Sequence, residues 1–466
     1  MWQIFPLSAD AKRDSQSIEE EVQKMKITKL STAGALLLVT SLVLAGCGSG
    51  SSSSAEDPTT SNAELTGTLS MVTKFADPKY APYFEGVAKA YQDAHPGVTI
   101  NLEQVGDQPF KDKIRVLSAS NSLPDIYFSW AGDFANKFVR ANLAADLTSE
   151  IAPDTAWGST FASAALKAFN YDGKYYGVPI DLDGKYMVYN KTMFAAANVA
   201  APKTLEELLA ACDALKATGV TPIAFGNQFG WPAIHYLTQL NAMNVAPATL
   251  AADYNPATGA FTDPGYVKSL QEFSDIMSRC GTKGSNGIAH EVAQADFLSE
   301  KAAMQYVESL EFSVFTETGG ASPAIANNWD FFRLPAAAGS AGDTGALTGA
   351  PDGFMVNEKS ANKALAIDFL KFFTSQQNAQ KMTKDLGWLS PVAGSATADN
   401  SFPQLTATLA DMGTASQFAI WLDTVTQADV ASAYLSGVEG LLSGTQTPAQ
   451  VMDSVKAAAV KAKAAG

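Results

Sequence analysis

The sequence predicts an α/β fold, and three observations carry that expectation. Between Thr68 and Phe128, strand and helix patterns alternate in the order β-α-β-α-β, the order that builds a parallel sheet. A second alternation, strand then helix then strand, lies within Gly173–Gly226. The chain also has the material for large cores: 47% of its 466 residues are hydrophobic, which excludes global disorder and leaves room for about two to four domains. Its formal net charge of −15 argues against nucleic acid and anionic membrane surfaces as partners, because both require basic patches.

Taken in order, the first 24 residues are polar, mixed in charge and unlike a targeting signal. From Met25 the pattern changes. Lys26 and Lys29 precede an apolar run, Ala33–Leu44, and Leu44-Ala45-Gly46-Cys47 follows. That run is short for a bilayer span, which takes about twenty residues, and it suits a signal peptide. The LAGC tetrapeptide resembles the lipobox of bacterial lipoproteins, where cleavage before the cysteine leaves that residue to carry the lipid. Met25 is therefore read as the start, residues 1–46 as an extension and signal peptide, and Cys47 as the lipidated residue. The Gly/Ser-rich stretch 47–64 reads as a slack tether. The expected location is extracytoplasmic, anchored to the membrane rather than spanning it.

The body begins near Leu65. Thr68–Thr73 reads as a strand, and Pro78 opens a helix with Phe84, Val87, Ala88 and Tyr91 on one face. His95-Pro96-Gly97 stops it, Val98, Ile100 and Leu102 alternate as a strand, and Phe110, Ile114 and Leu117 mark the next helix. Asp125–Phe128 is a short apolar strand of the buried parallel kind. In the second unit, Thr204 with Glu207 three residues on is a capping-box signature. Leu205, Leu208, Leu209, Cys212 and Leu215 then form one helix face, Gly219 stands where a C′ glycine belongs, and Thr221–Phe225 reads as a strand. Further helices are expected over Val267–Cys280 and Glu291–Ser299, and a strand leads from Lys301 into Val307–Leu310. Ser360 is read as the cap of a helix burying Leu365, Phe369 and Phe373, and the last ~60 residues as helices, alanine-rich from Pro448.

GKYYGVP, VYNKTMF and APKTLEEL, with AKAYQDAHPGVTIN, LPDIYFSW, GAPDGFMVNEKSANKALAIDFLKFFTSQQNAQ and DLGWLSP, closely resemble the extracellular solute-binding proteins of carbohydrate ABC importers, the family-1, maltose-binding-like group. The resemblance implies a two-lobed periplasmic-binding-protein-like α/β fold (type II), with hinge strands between the lobes and a ligand cleft at their interface. It places one lobe in 65–180 plus 353–395 and the other in 181–352 plus 396–466. It further implies a carbohydrate ligand and an ABC permease as partners, a monomer, no cofactor and no enzymatic activity. Two departures stand out: in KAAM followed by ESL, Glu308 replaces the family's usual glycine and Leu310 its usual tryptophan.

Catalytic signatures are missing. HExxH, CxxC, GxSxG and a phosphate-cradling Gly-rich loop do not occur, and the three histidines, His95, His235 and His290, are scattered. Paired carboxylates for glycoside cleavage leave an enzyme as a lesser alternative. A polyamine receptor of the same architecture is the main rival, since tryptophans with carboxylates also suit a cation. Cys212 and Cys280 are either a disulfide or two buried thiols.

A sugar offers an apolar face for an indole and hydroxyls for Asp, Glu, Asn or Gln. The ligand-binding candidates are accordingly Trp130, after a strand at its carboxyl end; Trp231, in the loop Gly226–Pro232; and Trp388, in GWLSP. Asp181 and Asp352, at the two expected crossings, join them, with Glu308, Lys74 and Gln104. Trp157, Trp329 and Trp421 are read as structural.

Overall fold

The computed structural model describes residues 65–465. Signal peptide, Cys47 and tether lie outside the described residues. Nine strands make two main sheets: β1 (Gly67–Thr73), β2 (Val98–Gln104), β3 (Ile126–Trp130), β4 (Gly177–Pro179), β5 (Lys185–Asn190), β6 (Thr221–Ala224), β7 (Ala302–Glu308), β8 (Trp329–Phe332) and β9 (Asp352–Val356). The first sheet has the order β2-β1-β3-β9-β4 and the second β8-β5-β7-β6. β1 runs parallel to β2 and β3, as the alternating pattern requires, with Met71 opposite Ile126. β9 returns antiparallel between β3 and β4 and sets Asp352 opposite Trp130.

The helices that cover these sheets are α1 (Ala81–Ala94), α2 (Asp107–Ala119), α3 (Asp133–Arg140), α4 (Leu205–Ala217), α5 (Trp231–Asn244), α6 (Pro264–Cys280), α7 (His290–Leu298), α8 (Lys363–Phe373), α9 (Gln376–Leu386), α10 (Ala428–Leu442) and α11 (Pro448–Ala465). α4 starts where its sequence says: Thr204 Oγ1 accepts from the Glu207 amide at 3.2 Å. The reciprocal bond goes one residue further back, from the Lys203 amide to Glu207 Oε2 at 2.7 Å. Ser360 departs from expectation. α8 opens at Lys363 after an N-cap at Asn362; the Ser360 hydroxyl accepts from the Asn362 amide at 3.0 Å, just ahead of the helix, and donates to Asp125 Oδ1 at 2.5 Å.

Each sheet has its own core. Around the first, Phe75, Phe84, Phe128, Phe354, Phe373 and Trp388 pack ring against ring. One face of the second buries Met187, Phe273 and Tyr306, and the other Tyr186, Val188, Phe312 and Trp329. A fully buried side chain of this size contributes about 1.5–3 kcal/mol. Cys212 on α4 and Cys280 on α6 are joined by a disulfide, Cα–Cα 5.3 Å. None of the described helices is long and apolar enough to cross a membrane.

Three stretches pass between the sheets and are tied together by backbone. The Ile180 amide donates to the Asp352 carbonyl at 2.9 Å, and the Leu182 amide to the Leu389 carbonyl at 2.6 Å. Gly349 lies so close to the first crossing that a Cβ there would collide with the Asp183 carbonyl oxygen. Away from the crossings the lobes also touch: Gly132, at φ +85°, would put a Cβ 2.9 Å from the Val425 Cα.

Candidate functional site

Strand ends determine the site. Lys74 follows β1, Trp130 ends β3 and Asp352 opens β9, so the first sheet offers these three along one edge. On the second sheet, Lys185 opens β5 directly opposite Glu308 at the end of β7. Asp181 and Asp183 lie on the crossing between. Trp231 and His235, four residues apart at the start of α5, share a face there.

The contacts close into a network. Lys74 Nζ lies 3.0 Å from Asp352 Oδ2 and 4.9 Å from the Trp130 ring centre. The Lys111 ammonium is 5.0 Å from the same ring. Lys185 Nζ is 3.6 Å from Glu308 Oε1 and 5.0 Å from the Trp231 ring centre. Trp231 packs between His235 and His290, at 5.0 and 4.7 Å, and His290 Nε2 meets Glu311 Oε1 at 2.6 Å. His235 stacks on Trp421 at 4.2 Å and 26°. The Asp352 amide donates to Asp181 Oδ1 at 2.8 Å, and Ser309 Oγ donates to Asp183 Oδ1 at 2.8 Å.

Burial and like charge push the acids of this network upward. Asp181 is raised well above its ordinary range by burial and then by Asp352, and Asp183 by burial and then by Glu308. Burial lifts Asp352 to about 6 even though Lys74 pulls the other way. Burial also works against the Lys74 ammonium, but Asp352, Asp107 and Glu308 outweigh it and its pKa rises. For Glu311 burial is likewise outweighed, by His290, and the carboxyl sits at about 2. His235 is pushed well down by burial and the nearby Lys185, so it is neutral. Its Nδ1, 3.3 Å from Glu308 Oε1, is thus no ion pair, and it has no hydrogen-bond partner.

Lys74, Trp130, Asp181, Trp231, Glu308 and Asp352 therefore converge, and two candidates do not. Trp388 is only 1% exposed, packed on Phe75, Tyr80 and Phe84, with Nε1 donating to the Leu310 carbonyl at 3.1 Å. The ring fills the first lobe's core, where the Leu310 carbonyl accepts its only polar hydrogen. Gln104 turns onto α1 and donates from Nε2 to Glu85 Oε1 at 3.0 Å. Sequence reasoning missed Lys185, His235 and Trp421. The i, i+4 spacing of Trp231 and His235 was a signal for the second of these; Trp421 had none. Among the described residues, no group of three or more His, Cys, Asp or Glu is placed to hold a metal.

Two α/β lobes, crossings tied by backbone, and a buried aromatic and charged seam between them define a receptor that closes on a small solute. Comparison with known proteins agrees. The family model for bacterial extracellular solute-binding proteins matches residues 77–380, and the chain belongs to that family. A binding protein of Brucella abortus (strain 2308) is 25% identical over 330 residues, covering 69% of this chain and 76% of that one. The multiple sugar-binding protein of Streptococcus mutans is 24% identical over 319 residues, 66% of this chain and 71% of that one. A solved chitin oligosaccharide binding protein superposes with a TM-score of 0.78 at 23% identity, covering 86% of this chain and 99% of that chain.

Proposed function

We propose that this chain captures a mono- or oligosaccharide between its lobes and delivers it to the membrane permease of an ABC importer, without altering it. The observation that carries this reading is an indole at the edge of each lobe, Trp130 beside Lys74 and Trp231 beside Lys185, with the buried Asp181 and Asp183 on the crossing between the sheets. The name of the Streptococcus mutans relative supports a sugar. Ligand that touches both lobes only when they are together shifts the open–closed balance by its difference in affinity for the two states.

The lobes in this reading divide at 65–180 with 353–395 and at 181–352 with 396–466, supported by the two sets of cores. The receptor is a monomer held to the membrane by lipid on Cys47. Stacking on two rings at ~0.5–1.5 kcal/mol each and a few charge-assisted hydrogen bonds at ~1.5–3 suffice for micromolar affinity. The test is thermal stabilisation of the purified protein by a panel of saccharides, polyamines and anions. A raised midpoint with one saccharide class, and that saccharide recovered intact, supports the reading. A shift with polyamines alone, or turnover of the sugar, overturns it.

A further inference from the structure

The seam between the lobes holds more buried carboxylates than cations. Asp181, Asp183, Asp352 and Glu308 face two ammonium groups, Lys74 and Lys185. His290 already answers Glu311, and Asp107, with Lys111 beside it, lies at the exposed margin. His235 is neutral and adds no charge. Lys74 is committed to Asp352, Lys185 stands nearest Glu308, and Asp183 is held by the Ser309 hydroxyl.

Asp181 remains. It is fully buried, Oδ1 accepts the Asp352 amide, and Oδ2 has no partner. A buried carboxyl oxygen without a partner is unfavourable, and with nothing positive beside it the group keeps its proton, the direction in which burial and Asp352 push Asp181; a cation seated on Oδ2 would let it ionise. Three more buried atoms in the same seam also lack hydrogen-bond partners, Lys185 Nζ, His235 Nδ1 and Asp423 Oδ1. Hydrogen bonds left open at four atoms, two of them carboxyl oxygens, describe the polarity of a ligand.

We propose that the seam selects an amine-bearing saccharide, an amino sugar whose ammonium group seats on Asp181 Oδ2 while its hydroxyls meet Lys185 and His235. This rests on the saccharide-receptor reading above. With the ammonium in place, Asp352 has Lys74, Glu308 has Lys185 and Asp181 has the ligand. A neutral sugar leaves Asp181 protonated and brings it no cation, acetylation of the amine does the same, and a uronic acid adds a further carboxylate to the seam. Glu308, at the end of β7 and facing Lys185, adds to the acidity of the seam.

The experiment is calorimetric titration of the full chain near neutral pH with matched sets in the glucose, galactose and mannose series. Each sugar is supplied in its 2-amino, 2-acetamido and 2-hydroxy forms, as monomers and β-1,4 dimers. In the series that binds, the 2-amino form is expected to be tighter by about tenfold or more, a charge-assisted contact replacing a neutral one. In Asp181→Asn that ratio should fall to about twofold or less. Should the variant misfold, the wild-type ratio decides alone. Equal or tighter binding of the neutral or acetylated form, or an unchanged ratio in folded Asp181→Asn, overturns the amine proposal and leaves the saccharide receptor standing. Spermidine binding with no saccharide binding, or no binding at all, overturns both.

Discussion

Lys74 and Lys185 occupy matching places on the two lobes. Each stands at a strand end, each faces a carboxylate, and each lies over an indole, 4.9 Å from the Trp130 ring centre and 5.0 Å from that of Trp231. Lys74 has its hydrogen bond, to Asp352 at 3.0 Å. Lys185 is more deeply buried, with 1% of its side chain exposed against 15%, yet its nearest carboxylate is 3.6 Å away and it bonds to nothing. The edge of the first lobe has its cation hydrogen-bonded, whereas that of the second leaves its cation without a partner. If the proposed function holds, that asymmetry separates residues that hold the protein together from residues kept available for a ligand.

Four measurements break or sharpen the contrast. The largest effect belongs to Trp388, in the first lobe's core: Trp388→Ala should cost about 3–5 kcal/mol in urea denaturation and leave the affinity of the folded fraction unchanged. Lost affinity at wild-type stability would return this ring to the ligand. Lys74→Met comes next. It strips Asp352 and Asp181 of their nearest cation, and about 3 kcal/mol of stability should go with it at neutral pH.

The third measurement is of pH. Asp352 sits at about 6 in the fold against an ordinary 3.8, so its contribution is fully present below pH 3.8 and is lost as pH rises through 6. Asp181 and Asp183 are displaced in the same direction. From about pH 7.5 to about 5, Asp352 alone should add about 1.4 kcal/mol of stability at 1.36 kcal/mol per pKa unit, while His235, held neutral in the fold, removes stability as its unfolded form protonates through 6.5. Wild-type stability that fails to gain on an Asp352→Asn variant over that window in urea denaturation would contradict the buried-acid network. The opposing acid, Glu311 at about 2, titrates below it. Lys185→Met should move stability least, by no more than about 1 kcal/mol, while weakening ligand binding by about tenfold or more in titration calorimetry. Equal stability losses in the two lysine variants would dissolve the comparison.

The two lobes differed in how far they could be read from sequence. Periodic apolar residues, a stop at His95-Pro96-Gly97 and the cap at Thr204 state their elements locally, and β1, α1, β2 and α4 follow. The site was half legible, because Trp130, Asp352 and Glu308 lie at strand ends, which sequence can locate. Lys185 escaped because it opens an otherwise apolar strand, and only the antiparallel register with β7 sets it against Glu308. Trp388 misled because its GWLSP loop has the composition of a surface turn. Its indole is buried in the first lobe's core, where it donates to the carbonyl of Leu310, seventy-eight residues earlier in the chain. Long-range packing of that kind has no local signature. Ser360 shows the same on a smaller scale, since its hydroxyl links the Asn362 amide, just ahead of the helix, to the distant Asp125.

The stacking of Trp421 on His235 also gives the molecule an optical gauge. Trp421 follows on from the first lobe's core, 4% exposed, while its next residue, Leu422, is bonded through its amide to Thr238 Oγ1 on α5. Separation of the lobes strips the indole of its first-lobe cover and brings it into water, while the imidazole stays beside it. Its emission would then move to longer wavelength on opening and back on closure. The rates of those excursions become readable in a stopped-flow fluorimeter without attaching any dye.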